Sequence, residues 1–252
     1  MSKYDALGTT LGQGTVQIET AVIVGTITGD GNATFTLTKA GMTGSPIATS
    51  VAVLNGDTPG VVATKAAAAM NLVANITAVC TVTADGNNVV VTAKLAAAND
   101  ATFNLAYTND TCTGLTPDAT STDTQAGAAY ANIAQIQSIS GPGLSLDTED
   151  VTSHDSTGGW EEVVGTILRS GEMTMDLVYD PADDSHDDAG GLGLVHRMDA
   201  RQLSAYKVTF PDSGGTIWYF NGYVTGFEPS MPHDGALTAS ATIKLTGAPI
   251  LA

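Results

Sequence analysis

The sequence predicts a mainly β fold: a β-sandwich or half-barrel flanked by one helix, with a small α+β module inserted near its N-terminus. Three observations carry this expectation. In the C-terminal half, Met173, Met175, Leu177 and Tyr179 alternate with Glu172, Thr174 and Asp176. Such period-two alternation marks a sheet with one dry and one wet face. Glycine is frequent, at 28 of 252 residues, and lies between the apolar stretches as turn punctuation. Strong helix-forming composition is confined to an alanine run after residue 60 and a short stretch near residue 195.

The elements follow in chain order. The start, "DALGTTLGQG", reads as an N-terminal arm covering 1–19. From 20 to 125 the composition changes: Ala, Thr, Val and Asn dominate, and both tryptophans are absent. This is the inserted module. "ATFTLT" places Phe35 and Leu37 on one strand face, and "ATFNLAY" does the same for Phe103, Leu105 and Tyr107. "NNVVVTAK" is a further strand. Between these, Asp57 or Thr58 caps a helix that Pro59 opens and the alanine run extends. The expected order is β-β-β-α-β-β-β, with the helix covering one face of the sheet. "TGLTPDATSTDTQAGAA" (113–129) is small and polar and reads as a linker.

The main domain, 126–252, contains strands in "GEMTMDLVYD", "AYKVTF", "TIWYFNGYVTGFE" and "ALTASATIKLTG". In the last, Leu237, Ala239, Ala241, Ile243 and Leu245 oppose Thr238, Ser240, Thr242, Lys244 and Thr246. One helix, the only one expected in this domain, is read over about 192–203 in "GLGLVHRMDARQL".

Charge and chemistry narrow the function. The net charge is −17, from 9 basic and 26 acidic residues, and residues 126–252 alone hold 17 acidic against 5 basic. Such a surface cannot grip nucleic acid through its phosphates, which requires cationic side chains. No apolar run reaches the roughly 18 residues of a membrane span. "MSKYDALGTT" lacks a secretion signal, so folding in a cytoplasm is expected. Cys80 and Cys112 form no C-x-x-C pair. Cys80 shares strand parity with Val82, which suggests a buried thiol; a Cys80–Cys112 disulfide is the other option.

"PADDSHDDAGG" gathers Asp183, Asp184, His186, Asp187 and Asp188. The ligands suit a hard cation, but the spacing is not that of a calcium loop, and a solvated acidic loop is expected. Ser153, His154 and Asp155 are chain neighbours, which in extended chain point to alternating faces and form no triad. His196 stands alone, and "GLGL" and "GQG" lack the strand-loop-helix setting of a dinucleotide site. No enzymatic activity, cofactor or metal is expected.

One resemblance is specific. "IAQIQSISGPGLSLDTEDVTSHDSTGGWEE", then "SGEMTMDLVYDP", then "YKVTFPDSGGTIWYFNGYVTGFEPSMPHDGALTASATIKLTGAP" resembles, in motif and order, the tail tube (major tail) proteins of long-tailed, non-contractile bacteriophages, the lambda-like siphophage family. It covers residues 126–252, and "DALGTTLGQG" is similar to the family's N-terminal arm. The resemblance implies the tail tube fold, a β-sandwich with a flanking helix. It implies hexameric rings stacked into a hollow tube around a tape-measure protein, with tail-tip and terminator proteins as further partners. Double-stranded DNA would pass through the lumen, without specific binding, at genome ejection. The location implied is the virion tail, assembled in the host cytoplasm.

For individual residues, the resemblance implies that the loop at about 146–162 touches neighbouring subunits and rings. Leu144, Leu146, Asp147, Glu149, Asp150, His154 and Trp160 are the candidates. Trp160 is either the apolar anchor of that contact or a cap on its own domain's core. Glu161, Glu162, Glu172 and Asp176 are candidates for the channel wall, because an acidic lumen repels phosphates. The module at 20–125 resembles accessory β modules of other phage structural proteins. It is expected on the tube exterior, since a fold of about 100 residues with its own core would not fit a lumen carrying duplex DNA. Two other readings remain: a monomeric adhesion or carbohydrate-binding β module, and a hydrolase using the Asp/His loop.

Overall fold

The computed structural model describes residues 7–187 and 193–252. The strands are β1 (Thr10–Thr15), β2 (Ile18–Val22), β3 (Gly31–Thr38), β4 (Ile47–Val53), β5 (Cys80–Asp85), β6 (Asn88–Ala93), β7 (Asn104–Asn109) and β8 (Thr122–Gln125). They continue with β9 (Ala128–Asn132), β10 (Ile136–Ser140), β11 (Ser145–Asp150), β12 (Val163–Arg169), β13 (Glu172–Val178), β14 (Ser204–Thr209), β15 (Ile217–Ser230) and β16 (Thr238–Leu251). The helices are α1 (Pro59–Met70), α2 (Ala74–Val79), α3 (Asp184–Asp187) and α4 (Leu194–Asp199). The protein is mainly β and divides into two compact units: the residues up to Gln13 with Tyr130–Ala252, and Gly14–Ala129.

The first unit is built on one seven-stranded sheet, in the order β10-β13-β16-β15-β14-β1-β9. Its dry face follows the alternation read from the sequence. Met173, Met175 and Leu177 on β13 lie opposite Ile243, Ala241 and Ala239 on β16, and all six are buried. Tyr206 on β14 stacks on Phe220 of β15 and adds Val208 to the same core. Residues 10–15, expected as part of an N-terminal arm, form β1 between β14 and β9, with Leu11 fully buried. The apolar Leu11 and the fixed pairing of a central strand hold it there.

α4 is the helix expected near 195, and its Leu194 is buried in this core. Arg197 is also fully buried, with its Nη1 donating to Ser204 Oγ at 2.6 Å. The expectation of a single helix is corrected: α3 is a second one. Asp183 Oδ1 accepts from Ser185 N (2.8 Å) and from Ser185 Oγ (2.6 Å), which caps the start of α3 and turns the acidic stretch into a helical turn.

The second unit carries two sheets, β5-β6-β2-β8 and β4-β3-β7. α1 turns Val62, Ala63, Ala66, Ala67 and Met70 inward, the helical stripe that its sequence spacing implies. Thr58 holds the N-cap position without a side-chain bond, and Pro59 opens the first turn. Asp57 accepts from Leu54 N (2.8 Å) and pairs with Lys65 (2.5 Å). The core joins Phe35, Leu37, Leu105 and Tyr107 to Val89 and Val91.

The order within this unit is β-β-β-α-α-β-β-β-β, one helix and one strand more than expected. The stretch 113–129, read as a linker, is structured. β8 pairs with β2 (Thr20 opposite Thr122), and Asp118 exchanges backbone bonds with Tyr107. Its polar composition reflects an exposed edge strand, whose side chains meet water on both sides. The division between units therefore falls near 13/14 and 129/130 rather than at 19/20 and 125/126. Cys80 and Cys112 are buried and both are free thiols, so the disulfide option is not realised. Burial pushes the Cys80 thiol up to about 11.

Segment 24–28 runs tightly against 113–116. Thr28 N donates to Thr113 O at 2.8 Å and Thr116 N to Val24 O at 2.8 Å. Gly114 has φ +112, and a Cβ there would lie 2.1 Å from Thr26 O. Gly114→Ala is expected to cost the protein roughly 3 kcal/mol, through left-handed strain and this backbone clash. Urea unfolding of the variant beside the parent checks it.

Candidate assembly surface

Strands β11 and β12 form a two-stranded ribbon of their own, outside the larger sheets. Leu146 lies opposite Leu168, Glu149 opposite Val164 and Asp150 opposite Val163, with a register shift between Leu146 and Thr148. All seven residues of β12 are exposed. A ribbon of this kind is marginal by itself. Here its tip is fastened locally. Asp150 Oδ1 accepts from Thr152 N (2.8 Å), Val151 N donates to Glu162 O (2.8 Å) and Glu162 N to Thr152 Oγ1 (2.9 Å). Gly158 and Gly159, both at φ +72, make the turn before Trp160.

The ribbon exposes apolar side chains along its length. Leu146, Val163, Val164, Ile167 and Leu168 are all more than half exposed, and Leu144 nearly so. Trp160 is 78% exposed, so it does not cap its own domain's core. Asp147 is paired to Arg169 through Nε (2.7 Å) and Nη2 (2.5 Å), and this contact holds its carboxyl below the usual carboxylate range. An exposed pair of this kind steadies the ribbon little. Hydrogen bonds from Thr152 lower Asp150 in the same way. Glu149 and His154 are exposed, one on β11 and one in the tip.

At the base of the ribbon lies an apolar groove of about 590 Å³, bounded by Leu144, Leu146, Leu168, Arg169, Ala248 and Pro249. Neither the groove nor the four apolar residues of β12 were among the sequence-derived candidates. A signal was present: "VVGTILR" is apolar on both strand parities, which departs from the alternation of the neighbouring strands. That pattern commonly denotes burial on both faces.

The candidate channel acids fall in two places. Glu161 and Glu162 belong to the ribbon tip, whereas Glu172 and Asp176 stand on the wet face of β13. Cross-strand register extends this face into rows. Ser138, Asp176, Ser240 and Glu228 form one row, and Glu172, Lys244 and Tyr223 another. Glu172 pairs with Lys244 at 3.1 Å, and Ser138 Oγ donates to Asp176 Oδ2 at 2.7 Å. Asp176 and Glu228 flank a shallow cleft with Gln137 and Ser240. Within these two rows, three carboxylates stand against the one ammonium of Lys244.

The Asp/His loop has a structural explanation. His186 is fully buried, its Nε2 donating to Ala134 O (2.9 Å) and its Nδ1 accepting from Asp180 N (3.2 Å). Among the described residues no group of three or more His, Cys, Asp or Glu side chains is arranged to hold a metal; Asp188 lies outside them. Among the same residues, no helix is long and apolar enough to cross a membrane.

A second polar site lies in the 14–129 unit. Glu19 is 3% exposed and accepts from Ser121 Oγ (2.6 Å) and Gln17 Nε2 (3.2 Å) beside Asp100, Asn104 and Asp123. Burial raises its carboxyl above 4.5, outweighing these bonds, and the nearby Asp123 and Asp100 add to the rise. A group that holds its proton more tightly when folded stabilises the fold fully below its unfolded pKa and loses that contribution as pH rises through the folded value. Glu19→Gln, which mimics the protonated form, is expected to raise the unfolding midpoint at pH 7 and to flatten its decline above pH 4.5. Thermal melts across pH check it; an unchanged midpoint at pH 7 counts against it.

The profile of the family described as "Lambda phage tail tube protein, TTP" matches residues 116–252. No curated protein sequence matches the chain. Among solved structures, a chain of a native gene transfer agent virion is 22% identical, with TM-score 0.40 over 49% of this chain and 88% of that chain. A chain from the tail of an empty gene transfer agent particle, refined with C6 symmetry, is 22% identical at TM-score 0.40, over 49% of this chain and 86% of that one. A chain from the sheath/tube terminator of an extracellular contractile injection system is 16% identical at TM-score 0.37, over 48% and 86%.

Proposed function

Because the chain belongs to the lambda phage tail tube protein family, a structural rather than an enzymatic one, we propose that its copies polymerise as stacked hexameric rings. These form the virion tail tube that conducts the genome into the host. The single observation that supports this most is the β11/β12 ribbon. Its apolar side chains and Trp160 face water in one chain, and a soluble monomer seldom keeps so continuous an apolar surface uncovered. Head-to-tail contact through such a surface generates closed rings or open stacks. In this reading Leu144, Leu146, Asp147, Glu149, Asp150, His154 and Trp160 belong to contacts between copies, with Glu161 and Glu162 beside them.

The wet face with Glu172, Asp176 and Glu228 lines the bore. Carboxylates there repel the phosphates of passing duplex DNA, whereas a cationic wall would bind it at many points and slow it. The tape-measure protein occupies the bore before DNA does, tail-tip and terminator proteins close the two ends, and assembly takes place in the host cytoplasm. The 14–129 unit, with its own core, stands on the outside.

Electron microscopy of the purified protein and of the virion tail tests the reading. Six-fold rings stacked into a hollow tube are expected, and a chain found outside any cylinder overturns it. Replacing Val16–Gly127 by a short turn, which joins the neighbouring strands β1 and β9, is expected to leave tube formation intact. Asp176→Lys with Glu228→Lys is expected to permit assembly while slowing DNA ejection at low ionic strength, with the defect shrinking as salt rises. Ejection kinetics from virions carrying the variant provide the measurement; an unchanged rate removes these residues from the channel wall.

A further inference from the structure

The ribbon carries a knob and a groove at opposite ends. Trp160 is the knob, held out at the tip behind Gly158 and Gly159 and 78% exposed. The groove lies at the base, where Leu144, Leu146 and Leu168 face Ala248 and Pro249, and its volume of about 590 Å³ exceeds that of an indole. The two cannot meet within one chain. Trp160 and Leu168 are eight extended residues apart, about 26 Å at 3.3 Å each.

We propose that Trp160 of one copy seats in the Leu144/Leu146/Leu168 groove of a second copy. This rests on the tube reading above and specifies which surface receives the ribbon tip. Charge complementarity selects a second copy as the occupant. Glu161 and Glu162 follow Trp160 directly, and the groove rim carries Arg169, the one lysine or arginine between 140 and 171. Its side chain is 59% exposed although Asp147 already touches it. Seating the indole would therefore bring two carboxylates toward the ribbon's one lysine or arginine. Indole burial at a site walled by leucine and proline gives the large apolar area typical of an interface anchor. Because knob and groove lie at opposite ends of one ribbon, the contact is head-to-tail and propagates from copy to copy.

Disulfide capture tests the contact in the full-length protein. Glu161→Cys and Ala248→Cys in one chain keep Trp160 in place, and the native Cys80 and Cys112 are buried. Mild oxidation is expected to give a ladder of cross-linked copies, and adding Trp160→Ala is expected to cut the cross-linked yield about tenfold. Leu168→Asp on the same background is expected to cut it similarly. Far-ultraviolet circular dichroism confirms that each variant is folded. Tubes that form without a ladder overturn the knob-in-groove contact and leave the tube reading standing. A ladder without tubes supports the contact and counts against the tube. Absence of both overturns the contact, as does a ladder unaffected by Trp160→Ala.

Discussion

The register between β13, β16 and β15 governs the first unit. Met173 opposite Ile243, and Ile243 opposite Val224, form a row that packs the core, and the residues that alternate with them form the wet face. A slip of one residue would turn every side chain over. Met173, Met175 and Leu177 would then face water, and Glu172 and Asp176 would enter a core with no partners for their charges. The cost of burying two unpaired carboxylates, added to the lost apolar burial, fixes the pairing. One constraint thus sets both the core and the anionic surface proposed for the bore.

The ribbon is the complementary case, in which the chain does not satisfy itself. Its tip is tied by local bonds from Thr152, Ser156 and the backbone at Val151, so the shape is defined without a partner. Its side chains are not covered. A short strand that is apolar on both parities and exposed on both is stable in solution only while rare or once paired. This explains how one segment can be polar in composition at the tip, apolar along β12 and still part of a folded protein. The acids of the tip are exposed, and like charge on such a surface opposes nonspecific association.

The 14–129 unit follows different rules. Its core is sealed by α1, by Phe35 stacked on Tyr107, and by the close approach of 24–28 to 113–116 that Gly25 and Gly114 permit. Tyr107 Oη donates to Val22 O and accepts from Val24 N, so a fully buried hydroxyl ties the strand ladder to the loop after β2. These contacts all lie within the unit, which is compact and has its own core.

Local pattern determined much of this from sequence alone. Alternation identified β13 and β16 and the faces of Met173, Ile243, Glu172 and Asp176, and the Pro59 start with its alanine run identified α1, because each signal is written within a few residues. β1, β8 and α3 were not legible. Thr10–Thr15 and Thr122–Gln125 are too polar and short to announce themselves, and they are strands because distant partners pair their backbones. Trp160 suits core or contact by sequence, since an indole fits either; only the folded ribbon, which leaves it 78% exposed, removes the core option. The groove could not be read at all, because it joins Leu144 and Leu168 to Ala248 and Pro249 across some eighty residues of chain. Secondary structure obeys neighbours in sequence, whereas a surface for a partner is made by neighbours in space.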